Sequence, residues 1–284
     1  MKLVIKFAGA LLEDQATVQS LAGQIASLAK QGHEILVVHG GGRIFTATLT
    51  RLGIESKFVA GLRVTDRETR DVAVMVFAGL LNKQLAAAIS AAGQPAVGIS
   101  AADAQCFRAE PLVHNDVEGS LGYVGYLTGA NTKLLNAFWR EGIVPVAACL
   151  GLGPEGELYN INADHMAAAC AEYLQAHQLI YLTDVQGVLE GDKILAGIAC
   201  DEIGDLVQKR TVSGGMVLKL EAAKRALEGG VSGVHIVGGT IPDGLLRAVR
   251  AAESRTPTGP DAIPGTRIVR EPVTTRASVA LSAA

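Results

Sequence analysis

The stretch Ile35-Leu36-Val37-Val38-His39-Gly40-Gly41-Gly42 decides the fold of this chain. Four consecutive branched apolar residues read as a strand, and the glycines end it. Residues 43–52 follow as a helix stopped by Gly53. A strand that runs through three glycines into a helix leaves backbone N–H groups free to face an anion. The same strand–helix unit recurs outward in both directions. Residues 3–7 read as the first strand. Residues 13–31 then place Val18, Leu21, Ile25 and Leu28 at helical spacing, with Gly32 as the stop. Downstream, Thr65-x-x-Glu68 reads as a capping box that opens a long helix to about residue 92. Further strands fall at 96–99, 143–148, 179–182, 234–237 and 266–269, the last of the chain. Further helices fall at 131–140, 164–175, 201–208, 215–227 and 244–252. Residues 104–127 read as hairpins, 255–264 as an exposed loop and 274–284 as a loosely ordered tail. There is no internal repeat. Strands alternating with helices of this length predict an α/β fold: a three-layer αβα sandwich around a mainly parallel central sheet.

Composition narrows the function. The chain has 284 residues, 49% hydrophobic but only 4% aromatic, so the core is built from Ala, Val, Leu and Ile. A net charge of −3 gives no basic footprint for nucleic acid. The 4 cysteines contain no C-x-x-C pair, which argues for buried reduced thiols rather than zinc or redox chemistry. The apolar start, residues 1–7, is short and broken by Lys6, and reads as a strand rather than a signal peptide. No apolar run approaches the roughly 18 residues of a membrane span. The expectation is a cytoplasmic protein.

Five segments carry chemistry. Lys6-Phe7-Ala8-Gly9 puts a lysine and small residues where the first strand ends, which suits a phosphate approaching the backbone. His39-Gly40-Gly41-Gly42 opens a helix, with His39 read as structural. In Gly61-Leu62-Arg63-Val64-Thr65-Asp66, Arg63 offers a fork that matches a carboxylate bidentately. Tyr159-Asn160-Ile161-Asn162-Ala163-Asp164 places amides and a carboxylate at a helix start, where capping also explains Asn162 or Asp164. Ser213-Gly214-Gly215-Met216 opens a helix that carries Lys219 one turn in.

Together, from Lys6 to Ile268, these segments resemble the amino acid kinase family, in the branch whose acceptor is N-acetyl-L-glutamate. The Gly61–Asp66 string matches the family letter for letter, and Gly79, Asn82 and Lys83 match as helix-packing and surface positions. The resemblance implies ATP-dependent phosphorylation of the acceptor's γ-carboxylate, giving an acyl phosphate in arginine biosynthesis. It implies catalytic roles for Lys6, Lys219 and Asp164, with Asp164 orienting the two lysines. It implies acceptor binding by Gly41, Gly42, Arg63 and Asn160. It assigns Gly9, Asp184, Gly187, Thr211, Ser213, Gly214 and Met216 to ATP, and Mg2+ to the nucleotide's own phosphates, with no metal site in the protein. Residues 1–176 are expected to bind the acceptor and to dimerise, and residues 177–284 to bind nucleotide. A homodimer formed through a helix of the first half is expected. Arginine inhibition is not expected, because arginine-sensitive relatives carry a helix ahead of the first strand.

Three departures from the family stand out: Ala8 in place of a glycine, the run Ser100-Ala101-Ala102-Asp103-Ala104, and Tyr126 where an acidic residue is common. An Ala8 backbone at φ > 0 costs roughly 1 kcal/mol, whereas a demand for small bulk alone tolerates alanine. Two other readings fit the same residues. One is a kinase of the same fold acting on another small substrate, such as carbamate, aspartate, glutamate, a nucleoside monophosphate or aminoadipate. The other is a weakly active sensor subunit.

Overall fold

A computed structural model describes residues 1–113, 121–254 and 264–270, and the backbone of 278–280. Its centre is an eight-stranded sheet. From one edge to the other the strands are Gly197–Ala199, Thr266–Val269, Gly233–Gly238, Gln178–Thr183, Lys2–Phe7, Glu34–His39, Val144–Ala148 and Ala96–Ile99. The six strands from Gly233–Gly238 to Ala96–Ile99 all pair in parallel. Only the pairing of Gly233–Gly238 with Thr266–Val269 is antiparallel. The predicted mainly parallel sheet is therefore the observed one.

Strand alternation assigns the core. Leu3, Ile5, Ile35, Val37, Val144 and Val146 enter one buried cluster. Val4, Leu36, Val38 and Ala147 enter the other. The first cluster is covered by the helices Gln15–Lys30, Asn82–Ala91 and Gly244–Glu253, the second by Gly42–Arg51, Ala163–Tyr173 and Gly215–Glu228. Both clusters draw on residues before and after position 176.

Several sequence expectations are corrected. The first helical stretch is two pieces, a 3-10 turn at Gly9–Glu13 and then Gln15–Lys30 capped by Asp14. The long helix runs Arg67–Ala91, but Thr65 does not cap it. Asp66 does, its carboxylate accepting from the Thr69 N–H at 2.8 Å. Thr65 is spent elsewhere, donating its hydroxyl to the Arg63 carbonyl at 2.8 Å. This helix loosens to a π-helix over Met75–Leu81. It also has the length and apolarity of a membrane span, although no such run was expected from the sequence, and half of that window is buried in the protein. Leu81, Leu85 and Ile89 pack into the core.

The hairpin region holds more strand than the sequence suggested. Phe107–Pro111 and Val124–Ala130 join Leu150–Leu152 and Leu158–Ile161 in a small closed barrel. Beyond Thr266–Val269 a further strand, Ser278–Ala280, pairs with Lys193–Leu195, so part of the expected tail is extended structure. The loop expected at 255–264 lies outside the described residues, apart from Pro264.

Candidate active site

The parallel sheet brings the carboxyl ends of Lys2–Phe7 and Glu34–His39 side by side, with Lys6 paired to Val38 and Phe7 to His39. In open α/β sheets, ligands bind outside these ends. The glycine segments that follow the two strands touch there. A Cβ built on Gly9 would stand 3.0 Å from the Gly41 Cα and the Gly42 N, so a side chain there would press on the backbone of the second turn. Ala8, beside it, sits at φ −69 and ψ 143 and donates its N–H to the Leu182 carbonyl at 2.9 Å. Its backbone is ordinary extended chain, and alanine costs no strain there.

Lys6 leaves the sheet on the face covered by the helix Ala163–Tyr173. That helix is capped by Asn162, whose side-chain oxygen accepts from the N–H groups of Asp164 and His165. The cap aims the Asp164 carboxylate back at the strand ends. Its Oδ1 lies 2.8 Å from Lys6 Nζ and 2.9 Å from Lys219 Nζ. All three side chains are largely buried, at 8%, 7% and 13% exposure for Lys6, Lys219 and Asp164. The Lys219 ammonium also stands 4.7 Å from the Tyr181 ring, and the Tyr181 hydroxyl donates to the Asp164 carbonyl at 3.1 Å.

Two cations share one carboxylate, so the site keeps a net positive charge. Burial by itself would raise the Asp164 carboxyl, but the charges of Lys6 and Lys219 overturn this and hold it well below the usual carboxylate range. Burial, and then repulsion from Lys6, bring Lys219 down to about 8.

Beside these groups lies a cavity of about 220 Å3. Its walls include Lys6, Gly9, Gly41, Gly42, Arg63, Asn160 and Asp164, so seven of the residues singled out from the sequence surround one space. Arg63 ends the short strand Leu62–Arg63 and is 9% exposed. Asn160 donates to the Thr65 hydroxyl at 3.1 Å, tying the wall strand Leu158–Ile161 to the Arg63 segment.

Of the residues assigned to the nucleotide, Gly9 lines this cavity and the other six do not. Asp184 follows the strand Gln178–Thr183 and pairs at 3.5 Å with Arg43, the residue after Gly42. Gly187 is packed, since a Cβ there would come within 2.9 Å of Ile194 Cγ2 and Thr266 Oγ1. Ser213 and Gly214 are exposed, with Thr211 and Met216 half-buried, around the start of the helix Gly215–Glu228. Gly214 sits at φ 56, and no side chain caps this helix. None caps Gly42–Arg51 either. Two helix N-termini therefore present first-turn N–H groups without a capping side chain.

Sequence reasoning passed over part of the site. Phe45, Phe58 and Phe77 also line the cavity, and Cys149 lies in its wall, where burial pushes the thiol up to about 12. Asn82, read from the sequence as helix packing, is a buried connector. It donates to the Val146 carbonyl at 2.8 Å and lies 3.1 Å from His39 Nε2. His39 Nδ1 stands 3.0 Å from the Gly40 carbonyl, and burial brings its pKa down to about 4. A neutral His39 with Nδ1–H on Gly40 satisfies both contacts, which is the structural role read from the sequence.

The model of the amino acid kinase family matches residues 1–238, and the chain belongs to that family. It is 49% identical over 248 residues to an acetylglutamate kinase of Koribacter versatilis, covering 86% of this chain and 93% of that one. It is 45% identical to an acetylglutamate kinase of Acidobacterium capsulatum, covering 84% and 90%. Among solved structures, an N-acetylglutamate synthase from Neisseria gonorrhoeae, complexed with coenzyme A and N-acetyl-glutamate, superposes with a TM-score of 0.81 at 26% identity. That match covers 96% of this chain and 60% of the synthase chain. A Giardia carbamate kinase shares the fold alone, at a TM-score of 0.66 and 15% identity, covering 95% of this chain and 99% of the kinase.

Proposed function

We propose that this chain transfers the γ-phosphoryl group of ATP to the γ-carboxylate of N-acetyl-L-glutamate, forming the acyl phosphate that arginine biosynthesis consumes. The observation that carries the reading is the meeting of Lys6 and Lys219 on one Asp164 oxygen, beside a cavity walled by Arg63 and Asn160. The relatives that cover more than four-fifths of the chain bear the corresponding name.

Phosphoryl transfer needs in-line alignment and neutralisation of charge more than it needs a protein nucleophile. Arg63 and Asn160 hold the acceptor's α-carboxylate, which points its γ-carboxylate at the glycine turns. Lys6 and Lys219 flank the phosphoryl group in flight. Asp164 keeps both ammonium groups oriented and charged. N–H groups near Gly9 and Gly41 and at the start of Gly215–Glu228 take up phosphate oxygens. Asp184, Gly187, Thr211, Ser213, Gly214 and Met216 form the nucleotide side. Asp164 is already committed to two lysines, so Mg2+ binds to the nucleotide phosphates and adds charge neutralisation there.

Residues 1–176 serve the acceptor and residues 177–284 the nucleotide, and the transfer happens where the two halves meet. Two copies associate through the helix Arg67–Ala91. Its Met75 and Leu80 are 65% and 49% exposed and offer apolar surface for a second copy to cover. The reaction belongs in the cytoplasm, in keeping with four free cysteines.

ADP release measured with N-acetyl-L-glutamate, glutamate, aspartate, carbamate or no acceptor tests the reading. Turnover is expected with N-acetyl-L-glutamate far above every other condition. Equal turnover without acceptor, or preference for another acceptor, refutes the assignment, and absence of turnover with all of them supports a sensor.

A further inference from the structure

The guanidinium of Arg63 is gripped on several sides. It lies 4.8 Å from the Phe45 ring and 4.4 Å from the Phe58 ring. Its Nη1 donates to the Ser56 hydroxyl and its Nη2 to the Thr46 hydroxyl, the latter at 2.6 Å. Thr46 has a second partner. Its own proton goes to the Gly42 carbonyl one helical turn back, at 2.8 Å. A hydroxyl has one proton and two lone pairs. With the proton fixed on Gly42, the Thr46 oxygen can only accept, and Arg63 is the donor it meets. The chain Arg63–Thr46–Gly42 therefore runs from the acceptor wall of the cavity to the glycine turn in a single polarity.

We infer that Thr46 is a positioning residue that sets the rotation of the Arg63 guanidinium and ties it to the Gly41-Gly42 turn. This inference rests on the acceptor role of Arg63 proposed above. A guanidinium has five N–H donors. Thr46 and Ser56 take two, which leaves three to grip a carboxylate, and the two rings limit tilting. Without the Thr46 oxygen, the long side chain swings about its torsions. The acceptor then has to freeze that motion on binding. The chemical step uses neither Thr46 oxygen nor Thr46 proton, so the loss falls on acceptor binding.

Thr46→Val keeps the branched shape and removes the hydrogen bonds, whereas Thr46→Ser keeps the hydroxyl. Steady-state kinetics with N-acetyl-L-glutamate and ATP, on variants whose melting temperature is checked first, tests the inference. Thr46→Val is expected to raise KM for the acceptor about tenfold, with kcat within threefold and KM for ATP unchanged, as for a lost charge-assisted contact outside the chemistry. Thr46→Ser is expected to stay within about twofold of the wild type, since it restores the same donor and acceptor. In an Arg63→Ala background, Thr46→Val is expected to lower kcat/KM by less than about twofold further, because both changes remove one interaction. Wild-type KM in Thr46→Val, failure of Thr46→Ser to restore it, or an undiminished penalty in the Arg63→Ala background overturns the inference. Should the wild type use a different carboxylate acceptor, the proposed substrate fails, and the same Thr46 comparison run with that acceptor still decides this one.

Discussion

On the acceptor side of the site the proposed functional side chains are held by partners from other segments of the chain. Arg63 is held by Thr46 and Ser56, Asn160 by Thr65, and Lys6 by Asp164. On the nucleotide side the proposed groups stand loose by comparison. Ser213 and Gly214 are exposed at an uncapped helix start, and Asp184 is held only by the neighbouring Thr183 hydroxyl at 3.2 Å and an exposed pair with Arg43, whose side chains are both at least half exposed. An exposed ion pair of that kind adds at most about 1 kcal/mol. The difference teaches where preorganisation resides. A small acceptor offers few contacts, so the protein must fix its own donors in advance. A nucleotide triphosphate brings charge and area enough to order exposed N–H groups as it binds. Lys219 joins the two regimes, since it sits one turn inside the loose helix start yet is buried on Asp164.

The comparison breaks most visibly at that junction. Lys219→Ala is expected to lower kcat by a factor corresponding to roughly 3 kcal/mol or more, with KM for N-acetyl-L-glutamate nearly unchanged. Steady-state kinetics at saturating ATP measures it, and a near-normal kcat would remove Lys219 from the chemistry. Arg63→Ala separates the two sides: KM for the acceptor is expected to rise by about 2–4 kcal/mol equivalent, with ATP affinity unmoved. A collapse of ATP binding instead would place Arg63 on the wrong side.

A pH profile sharpens the same contrast. Lys219 titrates at about 8 in the free protein, lowered from 10.5 by burial and Lys6. Its charge is present below that pH and lost above it, so kcat/KM is expected to fall as pH rises through about 8. The stability sign is opposite. Between that pH and the ordinary lysine value the unfolded chain holds a proton the folded one has released, so this group's contribution to stability rises with pH across the window. Asp164 works at the acid end. Its lowered pKa contributes stability above the unfolded value of 3.8, and this is lost as pH falls below it. A kcat/KM that stays flat to pH 10 contradicts the role given to the Lys219 charge.

The smallest effect is expected from Ala8→Gly. With Ala8 at φ −69, glycine relieves no strain, and it should cost about 0.5–1 kcal/mol of stability through the unfolded chain while leaving kcat within twofold. Chemical denaturation alongside a rate assay tests this, and a tenfold gain in kcat would falsify the reading of an intact phosphate loop.

The sheet and most of its helices were legible in the sequence, because runs such as Ile35–Val38 and stops such as Gly32 and Gly53 act locally. The polar residues of the cavity were legible too, since Lys6, Arg63, Asn160 and Asp164 stand in strings of specific letters. What stayed hidden depends on partners far along the chain. Thr46 meets Arg63 from a helix 17 residues earlier. Asn82 reaches His39 and Val146 across 43 and 64 residues. Thr65 looked like a helix cap because Glu68 stands three residues on, yet its hydroxyl is drawn to the Arg63 carbonyl and Asn160, and Asp66 takes the cap. The barrel strands Leu150–Leu152 and Leu158–Ile161 are too short, and too rich in glycine and polar residues, to signal themselves by pattern.

The central claim is direct transfer between two substrates across the paired lysines, with no phosphoryl group resting on the protein. ATP labelled in its γ-phosphate, incubated briefly with the protein and N-acetyl-L-glutamate, tests it most directly when one part is quenched in cold neutral detergent to count label on the protein and another is treated with hydroxylamine to trap the product. The account predicts label lost from ATP in step with acetylglutamyl hydroxamate formed, none on the protein, and almost no reaction in Lys219→Ala. Label retained on the protein, or phosphate released at the same rate without acceptor, would contradict it.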